Sequence, residues 1–360
     1  MKGEHGSDGH ARVAALDAVR GAALLLMAAG NLALGVAWVP AWLKHAPELG
    51  FHFADLIAPM FIVASGVSVA VSFERRRRRG DPVGAAVARL IIRALALIGI
   101  GSLFSAGQAW LAPAAVGAMP WNVLQTIGAA SLLTAGALLL RPLPRAMLAL
   151  ALLAGYQLLL DNFWLPVVTS TTQGGLPGAL SWGALMFAAT VAAELWPTGG
   201  PRGADAPAEE SAGESPQRVG GASCASASHR LIRGNRETRR LLLLGAAGPL
   251  LCLAALALAP AVPISMIRAS STYMLLTLGL SLLTLAGFDW WLGCHPASLG
   301  WLRRVGRHPL AIYFASLALL APLTLAASPA WYTDAPPWLT IAQAAATVAA
   351  LIACSRILER

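Results

Sequence analysis

The sequence is poor in charged side chains. Only 12% of its 360 residues are Asp, Glu, Lys or Arg, which is about half the share found in soluble domains. A soluble domain is therefore not expected. The net charge of +9 would suit a nucleic-acid partner, but the arginines lie at the ends of apolar runs, where membrane topology explains them. We predict no nucleic-acid binding.

Cysteine is also scarce, and its pattern excludes two classes of site. The four cysteines, Cys224, Cys252, Cys294 and Cys354, show no metal-binding or redox spacing, which argues against disulfides and zinc. No metal is predicted. We also expect no cleavable signal peptide, because the first apolar run carries Asp17 near its start, which is typical of a helix that stays in the membrane.

The chain is rich in apolar residues, which make up 57% of it, and its mean hydropathy is +0.65. Backbone groups inside lipid must be satisfied within one segment, which favours helices. The sequence therefore predicts an all-α, polytopic membrane helix bundle of about ten transmembrane helices. Their predicted spans are 13–37, 54–73, 86–107, 122–140, 146–160, 179–196, 241–259, 270–288, 309–327 and 338–355.

Arginine placement predicts the orientation and the domains. Alternate loops are rich in arginine, and these should face the cytoplasm together with both termini. We predict a cytoplasmic tail over 1–12, helices one to six over 13–196 with an outer connector at 38–53, a flexible cytoplasmic linker over 197–237, and the last four helices and a short tail over 238–360. The predicted outer loops carry only Lys44 and Arg268 as cations.

Three polar side chains should meet at the outer end of the first two helices. Asn31 lies about 18 residues beyond the start of helix one, or roughly 27 Å, which is close to a full crossing. Asp55 begins the returning helix, and His45 lies in the connector. An imidazole can exchange protons near neutral pH, a carboxylate can orient it, and an amide can stabilise an oxyanion. Each residue alone also has a structural explanation, as an interfacial histidine, a packing amide or a helix cap.

These residues resemble the transmembrane heparan-α-glucosaminide N-acetyltransferases. "RVAALDAVRG" with Met27 and Asn31, and "HAPELGFHFADL", reproduce the spacing of the first two core helices of that family. The resemblance is most specific over 12–80, and "VLQTIGAA", "PISMIRASSTY" and "GRHPLAIY" extend it more thinly. It implies that the residues matching His45 and Asn31 are catalytic. From the residues themselves we predict that Asp55 is a catalytic residue as well and orients His45.

The resemblance also implies a reaction. Acetyl-CoA from the cytoplasm would send its pantetheine arm through the bundle, and the acetyl group would pass to an amino sugar or similar amine on the other side. The expected location is a bacterial inner membrane, with the lipid bilayer as the main partner. Whether His45 is a general base or a transient acyl carrier stays open, as does a homo-oligomer.

The acceptor side departs from the family pattern. Glu48, Thr126, Met266, Ala269 and His308 replace residues that are usual there. We predict that Glu48 contacts a cationic amine, although a solvated loop glutamate is the plainer interpretation. The tyrosine retained from the family pattern, Tyr273, is also assigned to the acceptor site.

The donor should meet arginines, because CoA carries phosphates. The predicted CoA contacts are Arg20, Arg89, Arg93, Arg307 and His308. An ion pair of Arg20 within its own helix, and contacts of Arg89 and Arg93 with lipid phosphates, are the structural alternatives. The arginine run at 75–79 is predicted to be a topology anchor.

Two other functions stay open. One is a sugar or amine transporter without chemistry, because buried polar groups also mark substrate paths. The other is a related acyltransferase with another donor or a hydroxyl acceptor.

Overall fold

A computed structural model of the protein describes residues 14–111, 121–195, 221–295, 297–324 and 329–359. The predicted tail at 1–12, and residues 197–220 at the start of the predicted linker, lie outside the described residues. Within the described ranges the chain is helical and has no β-strand. The prediction of an all-α protein is confirmed.

Twelve α-helices occupy the described ranges. They are α1 (Ala14–Ala33), α2 (Ile57–Arg78), α3 (Val83–Leu111), α4 (Val123–Ala137), α5 (Pro142–Leu159), α6 (Leu165–Thr169), α7 (Gly175–Ala192), α8 (Gly221–Leu258), α9 (Ser271–Cys294), α10 (Gly300–Arg307), α11 (Pro309–Thr324) and α12 (Pro337–Ile357). A π-helical turn, Leu160–Trp164, joins α5 to α6. Helix α8 begins inside the segment predicted as a linker.

Eight helical segments of the described chain are long and apolar enough to cross a membrane. The shorter apolar helices α4 and α11 occupy the positions of the predicted fourth and ninth spans. The protein is therefore a polytopic helical membrane protein, as predicted. The number of spans and the cytoplasmic location of the termini stay predictions.

Helix α2 extends further than its apolar pattern predicted. The predicted span ends at residue 73, whereas the helix continues to Arg78. Glu74 accepts hydrogen bonds from Arg77 and Arg78 on the next turn, each at 3.0 Å. Such pairs stabilise helices, and the arginine run therefore continues the membrane helix as a rigid extension.

Helix α1 lies near the centre of the bundle, where it packs against α2, α9, α10, α11 and α12. Its closest approach is to α10. A methyl group on Gly306 would overlap the carbonyl oxygen of Asp17, and one on Gly21 would overlap that of Leu302. These two glycines let the backbones of α1 and α10 touch, which fixes one end of α1 against the short helix.

Candidate active site

The connector between α1 and α2, residues 34–56, holds a paired histidine and carboxylate. The chain there forms two short 3-10 turns, Ala41–Leu43 and Phe53–Leu56. His45 Nδ1 lies 2.8 Å from Asp55 Oδ1. Asp55 is buried, with only 1% of its surface exposed, while the imidazole stays 39% exposed. Two residues predicted to meet at this end therefore form a direct hydrogen bond.

The carboxylate of Asp55 is held from both sides. Its second oxygen, Oδ2, accepts the backbone N–H of His52 at 2.8 Å and that of Ala46 at 3.2 Å. An ionised carboxylate can only accept, so His45 Nδ1 carries the proton of the shared bond. The other ring nitrogen, Nε2, is then left with its lone pair. This arrangement makes His45 suited to accept a proton or to act as a nucleophile.

Asn31 lies at the same end of the bundle. It is in the last turn of α1 and is partly buried, and its neighbour Gly30 lies close to the side chain of Ile57 at the start of α2. Among the described residues, the Asn31 side chain makes no hydrogen bond, to His45 or to any other group. Its amide is therefore free to donate to a bound substrate.

The two predicted acceptor residues contact protein groups. Glu48 Oε1 accepts a hydrogen bond from Arg268 Nε at 2.9 Å. Tyr273 is fully buried, and its hydroxyl donates to the backbone oxygen of Asp55 at 2.7 Å. Glu48 is therefore part of the connector that carries His45, and Tyr273 contacts this connector from α9. Their assignment as acceptor contacts stays a prediction.

A cavity of about 400 Å³ lies at the opposite end of the same helices. We call this the arginine cavity. Seven arginines line it: Arg20, Arg75, Arg76, Arg79, Arg89, Arg93 and Arg307. Four of them were predicted as donor contacts. His308 is not among its lining residues and ends α10 instead.

The arginine run of α2 also contributes to this cavity, which sequence reasoning missed. Arg75, Arg76 and Arg79 line it together with Ser68 and Ser72. Their three- and four-residue spacing places them on one face of a helix. That spacing was the available signal, and the apolar criterion hid it by ending the helix at residue 73.

Within the part of the chain that the structure describes, carboxylates pair with some of these arginines. Arg20 pairs with Asp17, and Arg307 with Glu359 at 2.7 Å. Asp81 serves both Arg89 at 3.3 Å and Arg76 at 3.6 Å.

Arg93 stands apart from these pairs. It has no ion pair or hydrogen bond with any described residue, although it lines the cavity. An excess of guanidinium groups around a cavity of this kind is typical of a site for phosphates.

A second, apolar cavity of about 60 Å³ adjoins the first. The two share five lining residues, Ser65, Val69, Leu90, Arg93 and Pro309, so Arg93 lies where they meet.

One face of α1 follows both cavities. Arg20 lines the arginine cavity, Leu24 and Met27 line the apolar one, and Asn31 follows four residues later on the same face. This face spans roughly 16 Å from Arg20 to Asn31, which is comparable with an extended pantetheine chain.

Fold and site together define a multi-pass helical membrane protein with the arginine cavity at one end and a histidine–carboxylate pair at the other. Residues 12–186 match the family model described as heparan-alpha-glucosaminide N-acetyltransferase, catalytic. Over this region, which is just under half of the chain, the protein is similar to the heparan-α-glucosaminide N-acetyltransferases, and this similarity supports a membrane acetyltransferase at family level. No curated protein matches the chain. Helices α8 to α12 lie beyond the matched residues.

Proposed function

We propose that the protein transfers an acetyl group from cytoplasmic acetyl-CoA to an amino sugar, or a similar amine, on the outer side of a bacterial inner membrane. The observation that carries this proposal is the face of α1 from Arg20 to Asn31. It joins an arginine-lined cavity to the end of the bundle that holds His45 and Asp55. A donor with phosphates at one end and a thioester at the other could place its phosphates in the arginine cavity and its thioester near His45.

The donor would bind with its phosphates among the arginines. Arg93, which has no ion-pair partner among the described residues, would meet the phosphate nearest the pantetheine arm, because it lies where the two cavities join. The arm would then pass along Leu24 and Met27. These side chains offer apolar contact to an uncharged chain, and the thioester would lie near Asn31.

The chemistry follows from the protonation of His45. The acceptor nitrogen attacks the thioester carbon, and His45 Nε2 accepts the proton that this nitrogen loses. The Asn31 amide donates to the oxyanion that forms. The C–S bond then breaks and the CoA thiolate leaves. Asp55 stabilises the imidazolium throughout.

A transient acetyl-imidazole is the alternative route. In it Nε2 attacks the thioester first and the C–S bond breaks, so that the CoA thiolate leaves. The amine then attacks the acetyl carbon, the bond from this carbon to Nε2 breaks, and Nε2 accepts the proton that the amine loses. Both routes need the Nδ1 proton to be held by Asp55. The geometry of the pair at 2.8 Å supports either one.

Transfer of labelled acetyl from acetyl-CoA to glucosamine in proteoliposomes tests the proposal. We expect His45→Ala to lose transfer by about 10²–10⁴-fold, the usual contribution of a general base. His295→Ala is the matched control, since His295 is exposed and stacks on Trp291 rather than on the site. Equal activity of wild type and His45→Ala would rule out the catalytic role.

The same assay separates the alternatives. A transporter without chemistry would take up glucosamine with no release of CoA thiol. An enzyme with a hydroxyl acceptor would release thiol, and the mass of its product would show an ester.

A further inference from the structure

The connector that carries His45 is bonded to a segment more than 200 residues away. This segment, residues 263–273, precedes and begins α9, and we call it the α9 platform. Gly50 N–H donates to the oxygen of Ile264 at 2.8 Å. The Ser265 hydroxyl donates to the backbone oxygen of Glu48. Arg268 adds the bond to Glu48 and Tyr273 the bond to Asp55 described above, so the connector is attached between His45 and Asp55 and at Asp55 itself.

The α9 platform is itself tightly held. Ser265, Ser270 and Tyr273 are at most 1% exposed. Ser265 N–H donates to the Ser270 hydroxyl, and the Ser265 hydroxyl accepts from the N–H of Arg268, both at 3.1 Å. A residue whose hydroxyl bonds both its own loop and the connector can pass the rigidity of one to the other.

Two neighbouring helices anchor the platform to the bundle. Tyr156 of α5 donates to the oxygen of Arg268 at 2.6 Å. Ser181 of α7 donates to the oxygen of Ala269 at 2.7 Å. The ring of Tyr273 meets Trp182 of α7 edge-on, with centroids 5.9 Å apart. The platform is therefore a fixed part of the bundle rather than a mobile loop.

The two cations predicted on the outer side also hold the connector in place. Topology disfavours Lys and Arg on the outer side, yet Lys44 and Arg268 are predicted there. Lys44 Nζ donates to the oxygen of Val36 at 2.6 Å, and Arg268 donates to Glu48. Each cation therefore holds the connector in place, which gives a reason for its exceptional position.

We propose that Ser265, Arg268 and Tyr273 are positioning residues for the His45–Asp55 pair. They bond to Glu48 and to the backbone of the connector, so they act through it and not on the substrate. All three lie beyond residues 12–186, and the C-terminal helices would thus complete a site whose reacting groups lie in the matched region. The catalytic part of this inference rests on the proposed function.

The consequence for catalysis follows from geometry. Small displacements of a catalytic group lower the rate strongly, because the reacting atoms must be held near the attack distance. Loss of one attachment should therefore lower kcat by about tenfold or more. The KM for acetyl-CoA should stay unchanged, since the arginine cavity lies at the other end of the bundle.

Hydrogen exchange measures the attachment without any need for activity. Ser265→Ala and Tyr273→Phe each remove one hydroxyl and leave the surrounding packing in place. In proteoliposomes we expect residues 41–56 to exchange about tenfold faster in both variants, with α12 unchanged. Ser316→Ala is the control, because this buried hydroxyl bonds only within its own helix, to the oxygen of Tyr313.

A double-mutant cycle tests the ion pair. Arg268→Ala, Glu48→Gln and the double variant should show coupling in the exchange of residues 41–56, and Arg268→Lys should restore part of the protection.

The outcomes separate this inference from the proposed function. Wild-type exchange of the connector in both Ser265→Ala and Tyr273→Phe would overturn the attachment. Faster exchange with unchanged kcat would overturn the positioning role. If the wild-type protein transfers no acetyl group, the proposed function fails, while the exchange data still decide whether the α9 platform holds the connector.

Discussion

The two ends of α1 lie beside two different arrangements of polar side chains. At the connector end, the Asp55 carboxylate has hydrogen-bond partners on both oxygens. At the arginine cavity there are seven guanidinium groups, and two of them, those of Arg79 and Arg93, have no hydrogen bond or ion pair with a described residue. The first end is organised by hydrogen bonds of fixed direction, and the second by an excess of charge.

That difference indicates that the two ends have different functions, proton transfer at the connector and donor binding at the arginine cavity. Proton transfer requires defined donors and acceptors at short distance, which the His45–Asp55 pair provides. Binding of a phosphate-bearing donor requires charge but tolerates variation in geometry, since several arginines can share one anion. Changes at the connector end should therefore act on kcat, and changes in the arginine cavity on KM for the donor.

The largest effect is expected for Asp55→Asn. The amide oxygen could still accept from His52 and Ala46, but an amide N–H facing His45 Nδ1 would favour the wrong tautomer. We expect kcat for acetyl transfer to fall by about 10²–10⁴-fold, with KM for acetyl-CoA little changed. Asp334→Asn is the control, because Asp334 is an exposed carboxylate on a different loop. A fall of less than threefold would show that His45 does not depend on the carboxylate.

The connector end shows how far sequence reasoning reaches. His45 and Asp55 could be paired in advance because they flank one short connector, and helix lengths placed them at one level. Tyr273 and Arg268 bond the same connector from about 220 residues away. No local periodicity encodes such a contact, so the bond between Glu48 and Arg268 could not be predicted, and the assignment of Glu48 to the acceptor site stays a prediction.

Only some of the residues that line the arginine cavity could be predicted from the sequence. Arg20, Arg89, Arg93 and Arg307 stood out because each is a charge at the end of an apolar run. The run at 75–79 carries so much charge that topology alone explained it. Only the continuation of α2 to Arg78, stabilised by Glu74, turns one face of that run toward the cavity.

Stability should depend on the contact that fixes α1 at the arginine end. Gly306→Ala places a methyl group against the carbonyl oxygen of Asp17, so α10 must move away from α1. We expect a loss of about 1–3 kcal/mol, seen as a lower Tm in detergent and as a higher KM for the donor. Gly287→Ala is the control, since no atom lies within 4 Å of a methyl group there. Equal Tm values for the two variants would contradict the close packing.

A smaller effect is expected for Arg93→Gln. This change removes the charge where the two cavities join, and a lost charge-assisted hydrogen bond to a phosphate should raise KM for acetyl-CoA by about tenfold. The kcat should stay near the wild-type value. Arg239→Gln on α8 is the control, because Arg239 is exposed and is not among the residues that line the cavity. A lower kcat with an unchanged KM would show that Arg93 acts on the chemical step and not on binding of the donor.

The smallest effect needs no mutation. Salt screens charges that water can reach, with a Debye length of about 10 Å at 0.1 M, so the KM for acetyl-CoA should rise about threefold between roughly 0.05 and 0.3 M salt. The kcat should not change, because His45 and Asp55 are in direct contact and Asp55 is buried. S-acetylpantetheine, which has the thioester but no phosphate, is the control substrate, and its KM should be independent of salt. If its KM rises as steeply, salt acts on the protein rather than on phosphate binding, and the arginine cavity is not the donor site.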